Sequence, residues 1–427
     1  MGRRTAIVGV VPIAIASLCT VGLGAKSAAG DAARSGSVDL GRAIAAAPDR
    51  KVIVAGLSNG PDEVFALARY TADGRLDRSF GTAGLVLTSF GADAFGGANA
   101  VAIGSGGKIV AAGWVVVPPR TGSAFAIARY TRAGKLDRTF GRNGKVVTSF
   151  GASAYGVANQ RGGRIVVAGA GALVRYTRRG TLDRSFGRDG KVRTRVGAYS
   201  TGLAVVIQPD AKIVVAGAGR ATRSKTGFAV ARYAADGTLD RSFGNRGQVV
   251  TQVGEFDTEA VGVVMQADGK LVLAGNAFVD GDAGFALVRY TRDGQLDATF
   301  GNEGQVFNGA GSVTSLAIQS DGKLVTAGIG MRRHPSFSLA RFLPDGSLDE
   351  GFGHGGKLLT QFQRPARPYA LVVRGDGKIL VAGSYAGRDF VLARYTSGGR
   401  LDGSFGSGGK IVTDFGPAWT VNRGAPG

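Results

Sequence analysis

The chain copies itself. The fourteen residues Ala68 to Gly81 (ARYTADGRLDRSFG) recur with small changes, and their closing Phe-Gly pair ends at Gly81, Gly141, Gly187, Gly244, Gly301, Gly353 and Gly406. The spacings are 60, 46, 57, 57, 52 and 53 residues. A second segment, like Lys108 to Gly113 (KIVAAG), ends at Gly56, Gly113, Gly169, Gly217, Gly275, Gly328 and Gly383. Two independent markers each count seven, so the fold must be built from seven equivalent units.

Each unit divides into four extended pieces, here called a to d. In the fourth unit they are Gly202–Ile207, Lys212–Ala216, Phe228–Tyr233 and Gly247–Thr251. All are five or six residues long and rich in Val, Ile, Phe or Tyr, the composition of strands. Turns such as Asp321-Gly322, Asp376-Gly377 and Asp268-Gly269 join a to b, a strong hairpin signal because Gly accepts positive φ. No stretch of the array carries the period of a long amphipathic helix. Four short antiparallel strands in each of seven units predict an all-β chain, a seven-bladed β-propeller of four-stranded antiparallel blades. The alternative, a β-solenoid, usually has shorter and more even coils, whereas a propeller absorbs length differences in rim loops. The 72 glycines, about 17% of the chain, fit the number of turns required.

The units run roughly over 38–90, 91–150, 151–196, 197–253, 254–309, 310–362 and 363–416, followed by a tail, 417–427, that carries Trp419. Before them, Arg3 and Arg4 precede an uncharged run from Ala6 to Ala25, and Ser27-Ala28-Ala29 offers small residues for cleavage. This is the pattern of a secretory signal peptide over 1–29, with 30–37 as linker, and a retained anchor helix is the alternative. Cleavage would remove Arg3, Arg4 and Lys26, lowering the formal charge from +21 to +18, and would remove Cys19, the only cysteine. No other uncharged run approaches a membrane span, so the mature chain is expected to be extracytoplasmic without one.

Five positions never change between copies. Gly74, Gly134, Gly180, Gly237, Gly294, Gly346 and Gly399 mark a c–d turn that needs positive φ. The Leu (76, 136, 182, 239, 296, 348, 401) and the Phe (80, 140, 186, 243, 300, 352, 405) are expected to plug the space between blades. Arg69, Arg129, Arg175, Arg232, Arg289, Arg341 and Arg394 end piece c. Eight residues on stand Asp77, Asp137, Asp183, Asp240, Asp297, Asp349 and Asp402. A ligand site rarely needs sevenfold repetition, so the pairs are expected to be architectural, with each Arg forked onto its carboxylate. A ring of charges lining a channel is the other reading.

The unit closely resembles the delta-60 repeat of secreted bacterial proteins, and more distantly the NHL-type propeller repeat, over about residues 38 to 416. The second resemblance implies that piece a is innermost, that Val38–Ala47 opens the first blade, and that the ring closes without a shared strand. The other phase would place Ala43–Ala47 at the edge of the last blade, and the sequence leaves both open.

Little in the chain carries chemistry. His334 and His354 are solitary and there is no cysteine cluster, which excludes a zinc centre. Asp280, Asp282, Asp73 and Asp77 offer carboxylates but no twelve-residue calcium loop, so no metal and no cofactor is expected. His334 lies near Ser336 without a second base, and Glu255, Asp257 and Glu259 form at most a small acidic cluster. No phosphate-binding motif follows a strand. The tyrosines repeated between units speak for packing.

The variable part is the b–c loop, which shares one face of the ring with the d–a loops. These loops carry Arg120, Arg220, Arg223, Lys225, Arg332, Arg333 and Arg388, with Trp114 expected as an exposed stacking residue at the opening of the longest loop. Variable loops on a repeated scaffold are where recognition resides. The expected function is a non-catalytic binding or scaffold module for an anionic polysaccharide or cell-envelope polymer, or for a protein, with no specific nucleic acid. The alternative is a secreted lyase or hydrolase using the central funnel.

Overall fold

The computed structural model describes residues 38–59, 63–119, 122–193, 200–309, 311–331 and 333–415. The leader (1–29), the linker (30–37), Arg120, Arg332 and the tail with Trp419 lie outside the described residues. Val, Ile, Leu, Phe and Ala runs form seven sheets, each of four strands hydrogen-bonded in the order a-b-c-d and antiparallel throughout. The a strands are Asp39–Ala46, Phe95–Ile103, Ala154–Asn159, Ser200–Ile207, Glu259–Met265, Ser315–Ile318 and Ala366–Val373. Each packs against the a strands of both neighbouring blades, the first against the seventh included, so the a strands surround the axis and the ring is closed. The d strands are outermost and short, four residues in Leu85–Thr88 and three in Lys191–Arg193.

The core is divided. Seven apolar clusters lie one between each pair of adjacent blades, and the cluster joining blade seven to blade one (Ile44, Val54, Leu380, Phe390 and their neighbours) is built like the rest. Among the described residues no strand is shared across that seam. Side chains close it instead: Tyr70 Oη meets Thr413 Oγ1 at 2.8 Å, and Phe415 N–H donates to Asp39 Oδ2 at 3.0 Å. The same tyrosine–threonine bond joins Tyr130 to Thr88, Tyr176 to Thr148, Tyr290 to Thr251 and Tyr395 to Thr360. The sixth blade has Phe342 at this position. There the facing residue of blade five is Asn308, which accepts from Lys357 Nζ at 2.7 Å.

The Arg–Asp spacing marks a clip that spans two blades. In all seven units Arg Nε lies 2.7 to 2.9 Å from the carboxylate eight residues on. The guanidinium does not fork onto that carboxylate. Its Nη1 donates to a backbone carbonyl in the c–d turn of the next blade: Arg132, Arg178, Ala235, Arg292, Pro344, Ser397 and, across the seam, Ala72. Where a Ser or Thr stands two residues past the Asp, Nη2 donates to its hydroxyl, as Arg69 does to Ser79 at 3.0 Å. The guanidinium also stacks 4.4 to 4.6 Å from the repeat Phe in every unit. One side chain thus holds its own turn, its neighbour's turn and an aromatic plug, which is why Lys never replaces it.

A third charge completes the clip. Lys51, Lys108, Arg164, Lys212, Lys270, Lys323 and Lys378, at the start of strand b, each reach the same carboxylate at 2.6 to 3.1 Å. Burial alone would raise the Asp77 pKa. Hydrogen bonds from Lys51 and Ser79 and the charge of Arg69 outweigh it and hold the carboxyl well below its usual range.

Phe80 and its six counterparts are fully buried and do plug the blade boundaries. The repeat Leu does so only in part: Leu76, Leu136, Leu182 and Leu348 are partly buried against the clusters between blades, whereas Leu239, Leu296 and Leu401 are 36 to 38% exposed. Leu76 also bridges back to Tyr70 and closes the turn. The c–d glycine is required twice over. Gly74 has φ of +91°, and a Cβ there would stand 2.9 Å from the Phe405 ring.

Candidate functional site

The b–c and d–a loops lie at one end of the strands and form one face. On it, Arg223, Lys225, Arg333 and Arg388 are exposed, and Arg220 ends the b strand Ile213–Arg220 with its Nη1 donating to the Arg223 carbonyl at 3.0 Å. Thr222 Oγ1 accepts from Lys225 N–H at 3.0 Å, so this loop has a fixed shape. Arg364, from the d–a connection into blade seven, and Arg367, near the start of its a strand, add two exposed cations that sequence reasoning did not single out. Glu255, Asp257 and Glu259 do not gather into a catalytic pair. Asp257 Oδ1 accepts from the Thr226 N–H at 2.6 Å and its hydroxyl at 3.1 Å, tying the d–a loop to the b–c loop of blade four.

Trp114 is not in a loop. It lies within the b strand Ile109–Val116, partly buried, with its ring edge-to-face 6.0 Å from Phe95. The strand runs three residues further than the sequence suggests because Phe95, Gly96 and Gly97 extend the a strand opposite it. Phe95, 41% exposed, is the ring that solvent sees there.

His334 and Ser336 do not form a nucleophile and base. Ser336 Oγ, buried, donates to the backbone carbonyl of His334 at 3.2 Å. Among the described residues, one group of carboxylates could hold a metal ion: Asp39, Asp389 and Asp414, with oxygens within 4.8 Å of one another at the seam. Burial, then the charges of Asp414 and Asp39, push the Asp389 pKa up, with Arg388 and Arg364 opposing. No sequence spacing marks this group, since ring closure brings Asp39 to the end of the chain. On the opposite face an open groove of about 420 Å³, touching Asn302, Gln305, Phe307 and Asp345, lies between the c–d turns of blades five and six.

Some solved structures are similar to the chain at low identity. A β-propeller domain of the Trilobed protease from Pyrococcus furiosus, described as having an open velcro topology, has 12% identity and a TM-score of 0.45, covering 81% of this chain and 91% of that one. The BP39L lectin from Burkholderia pseudomallei has 12% identity and a TM-score of 0.45, covering 85% and 98%. A protein of unknown function from Bacteroides caccae has 14% identity and a TM-score of 0.42, covering 66% and 92%. No curated protein matches the chain. A family model matches residues 47–80, 106–140, 160–186, 208–243, 266–300, 319–352 and 374–405, one segment in each blade and over half of the chain in all. The chain therefore belongs to the family described as domain of unknown function (DUF5122) beta-propeller.

Proposed function

We propose that this chain is an exported, non-catalytic binding or scaffold module of delta-60 type, and that it takes an anionic cell-surface polymer on its b–c loop face. The observation that carries this reading is the division of labour between positions. The Arg, Asp, Gly and Phe that repeat are engaged in joining blades, while the loops that differ present exposed Arg223, Lys225, Arg333 and Arg388. A formal charge of +21 gives such a face a long-range attraction for polyanions. The leader pattern of residues 1–29 supports the reading as an exported chain. Among the described residues no helix is long and apolar enough to cross a membrane.

The test is a binding series with polygalacturonate and a teichoic-type polymer at increasing salt. Replacing Arg220, Arg223, Arg332 and Arg333 together by Ala should weaken binding at low salt and flatten the salt dependence. Unchanged binding by this variant removes the loop face from the account.

A further inference from the structure

The formal charge is not spread evenly around the ring. Blades two and three, residues 91–196, hold 18 Lys and Arg against 4 Asp and Glu. Blade five, residues 254–309, holds 3 against 9. Two adjacent blades therefore carry +14 of the chain's +21, while blade five carries −6. A general need for positive charge would load seven equivalent blades alike. Much of the excess lies on the face opposite the b–c loops, where the a–b and c–d turns end. There blade three presents Arg178, Arg179, Arg184 and Arg188, and blade two presents Lys135 and Arg138, all exposed. At the positions of Arg179, Arg184 and Arg188, blade five has Asp293, Ala298 and Asn302.

Backbone contacts hold these turns together as one surface. The Gly141 N–H of blade two donates to the Arg179 carbonyl of blade three at 2.7 Å, and Arg129 Nη1 donates to the carbonyl of Arg178. The a–b turn of blade three lies against the same residue. A Cβ at Gly163 would stand 3.2 Å from Arg178 Cβ, and exposed Arg161 is two positions before that glycine. Since main-chain groups and the clips do the holding, the side chains are left over. Among the described residues, those of Lys135, Arg138, Arg161, Arg178, Arg184 and Arg188 have no hydrogen-bond or ion-pair partner. The neighbouring acids are mostly engaged. Asp137 and Asp183 are buried in clips, Asp49 is taken by Arg132 at 2.9 Å, and Asp236, at the border with blade four, accepts from Thr238. Asp189 is the exposed acid within the group.

We propose that this shelf, built from the a–b and c–d turns of blades two and three, is a second binding surface, and that it takes a linear glycopolymer with an oxyanion in each repeat. This shares the binding-module reading but not the loop face, which lies at the other end of the strands. Arginine supplies most of the shelf, and its planar fork matches carboxylate and phosphate oxygens alike. Several cations on one rigid surface bind a polyanion by displacing its counterions, so affinity grows with the number of charges engaged. The negative charge of blade five repels the same polymer and confines it to the basic sector.

Binding isotherms with polygalacturonate, which carries carboxylates, and with a teichoic-type polymer, which carries phosphates, test the shelf over a salt series. The shelf variant replaces Arg138, Arg178, Arg184 and Arg188 by Gln. A control replaces Arg78, Arg241, Arg246 and Arg400 by Gln, residues exposed on the same face in blades one, four and seven, so both variants lose equal charge. None of these side chains belongs to a clip, and other blades carry uncharged residues at the shelf positions, as Ala72, Ala298 and Asn302 show, so the fold should persist. Should the shelf variant fail to fold, Arg138→Gln/Arg184→Gln carries the same test. The shelf variant should weaken low-salt binding by about tenfold or more and flatten the salt dependence, while the control changes it by less than about threefold. Loss with one polymer alone supports the shelf and identifies its oxyanion. Wild-type binding by the shelf variant, or an equal loss in the control, overturns the shelf. If the four-residue loop variant alone loses the polymer, the loop face stands and the shelf falls; if the shelf variant alone does, the shelf stands without the loop face. If the wild type binds neither polymer, both fall.

Discussion

Arg129→Ala removes the clip between blades two and three, and its consequences are unequal on the two sides. Asp137 keeps a partner, because Lys108 Nζ remains 2.6 Å away. The carbonyl of Arg178 loses its guanidinium donor, and the buried Phe140 loses the cation stacked 4.4 Å from its ring. Asp137→Ala does more harm, leaving Arg129 and Lys108 without their shared carboxylate and Thr139 without its acceptor. Breaking a buried pair by removing one partner costs about 3–5 kcal/mol. R129A belongs at the lower end and D137A at the upper. For a domain of this size the entropy of melting converts that range to a fall of roughly 4–6 °C in Tm. Scanning calorimetry at neutral pH measures it. The double variant should cost less than the sum of the singles, because the second removal takes away a group already stranded. A D137A loss no larger than that of R129A, or strict additivity, would refute the clip as drawn.

Acid should unfold the ring in a defined window. The folded pKa of all seven clip aspartates is lowered: burial opposes ionisation, but hydrogen bonds and the adjacent cations prevail. A lowered folded pKa adds stability above the unfolded value of about 3.9 and loses it as pH falls through the folded value. Melting temperature should therefore hold at mildly acidic pH and fall steeply below about pH 4, and a steep fall near pH 6 would contradict this. Asp389 has the opposite sign, with a folded pKa raised by burial and by Asp414 and Asp39. Asp389→Asn should raise Tm at pH 7 and leave it unchanged below about pH 3, where the wild-type carboxyl is protonated in both states. Gly275→Ala, whose Cβ would meet the Glu259 carbonyl oxygen at 2.1 Å, should destabilise blade five far more than the usual small effect of adding a methyl to a strand. A Tm within 1 °C of wild type would show that the approach of strand a does not need this Gly.

The architecture was legible because repetition turns each architectural demand into seven observations. An Arg and an Asp eight residues apart mean little once, but seven copies imply a contact. The same reasoning would have found Lys51 and its counterparts, which recur as Lys or Arg at the start of every strand b. They drew no attention at the head of piece b because nothing in one dimension shows that the start of strand b lies beside the c–d turn. Leu239 misled for a related reason: an unvarying apolar residue suggests a plug, yet here it closes a turn and stays 36% exposed. Trp114 was placed in a loop because the length of a strand depends on its partner, and Phe95 is that partner. The register slip between Gly41 and Ala43 left only the Gly of strand b, here Gly56, as its mark. Arg42, Asn99 and Tyr155 align in sequence, but a slip in register exists only between two strands.

The central claim is a ring closed by seven equivalent boundaries, the one between the chain's two ends included. Hydrogen exchange read by mass spectrometry tests it strand by strand. Backbone amides of the a strand Asp39–Ala46 and the c strand Asp389–Tyr395 should be protected as strongly as their counterparts in blade four, Ser200–Ile207 and Thr226–Tyr233. Fast exchange confined to blades one and seven would mean that the seam is open and that the seven clips are not alike.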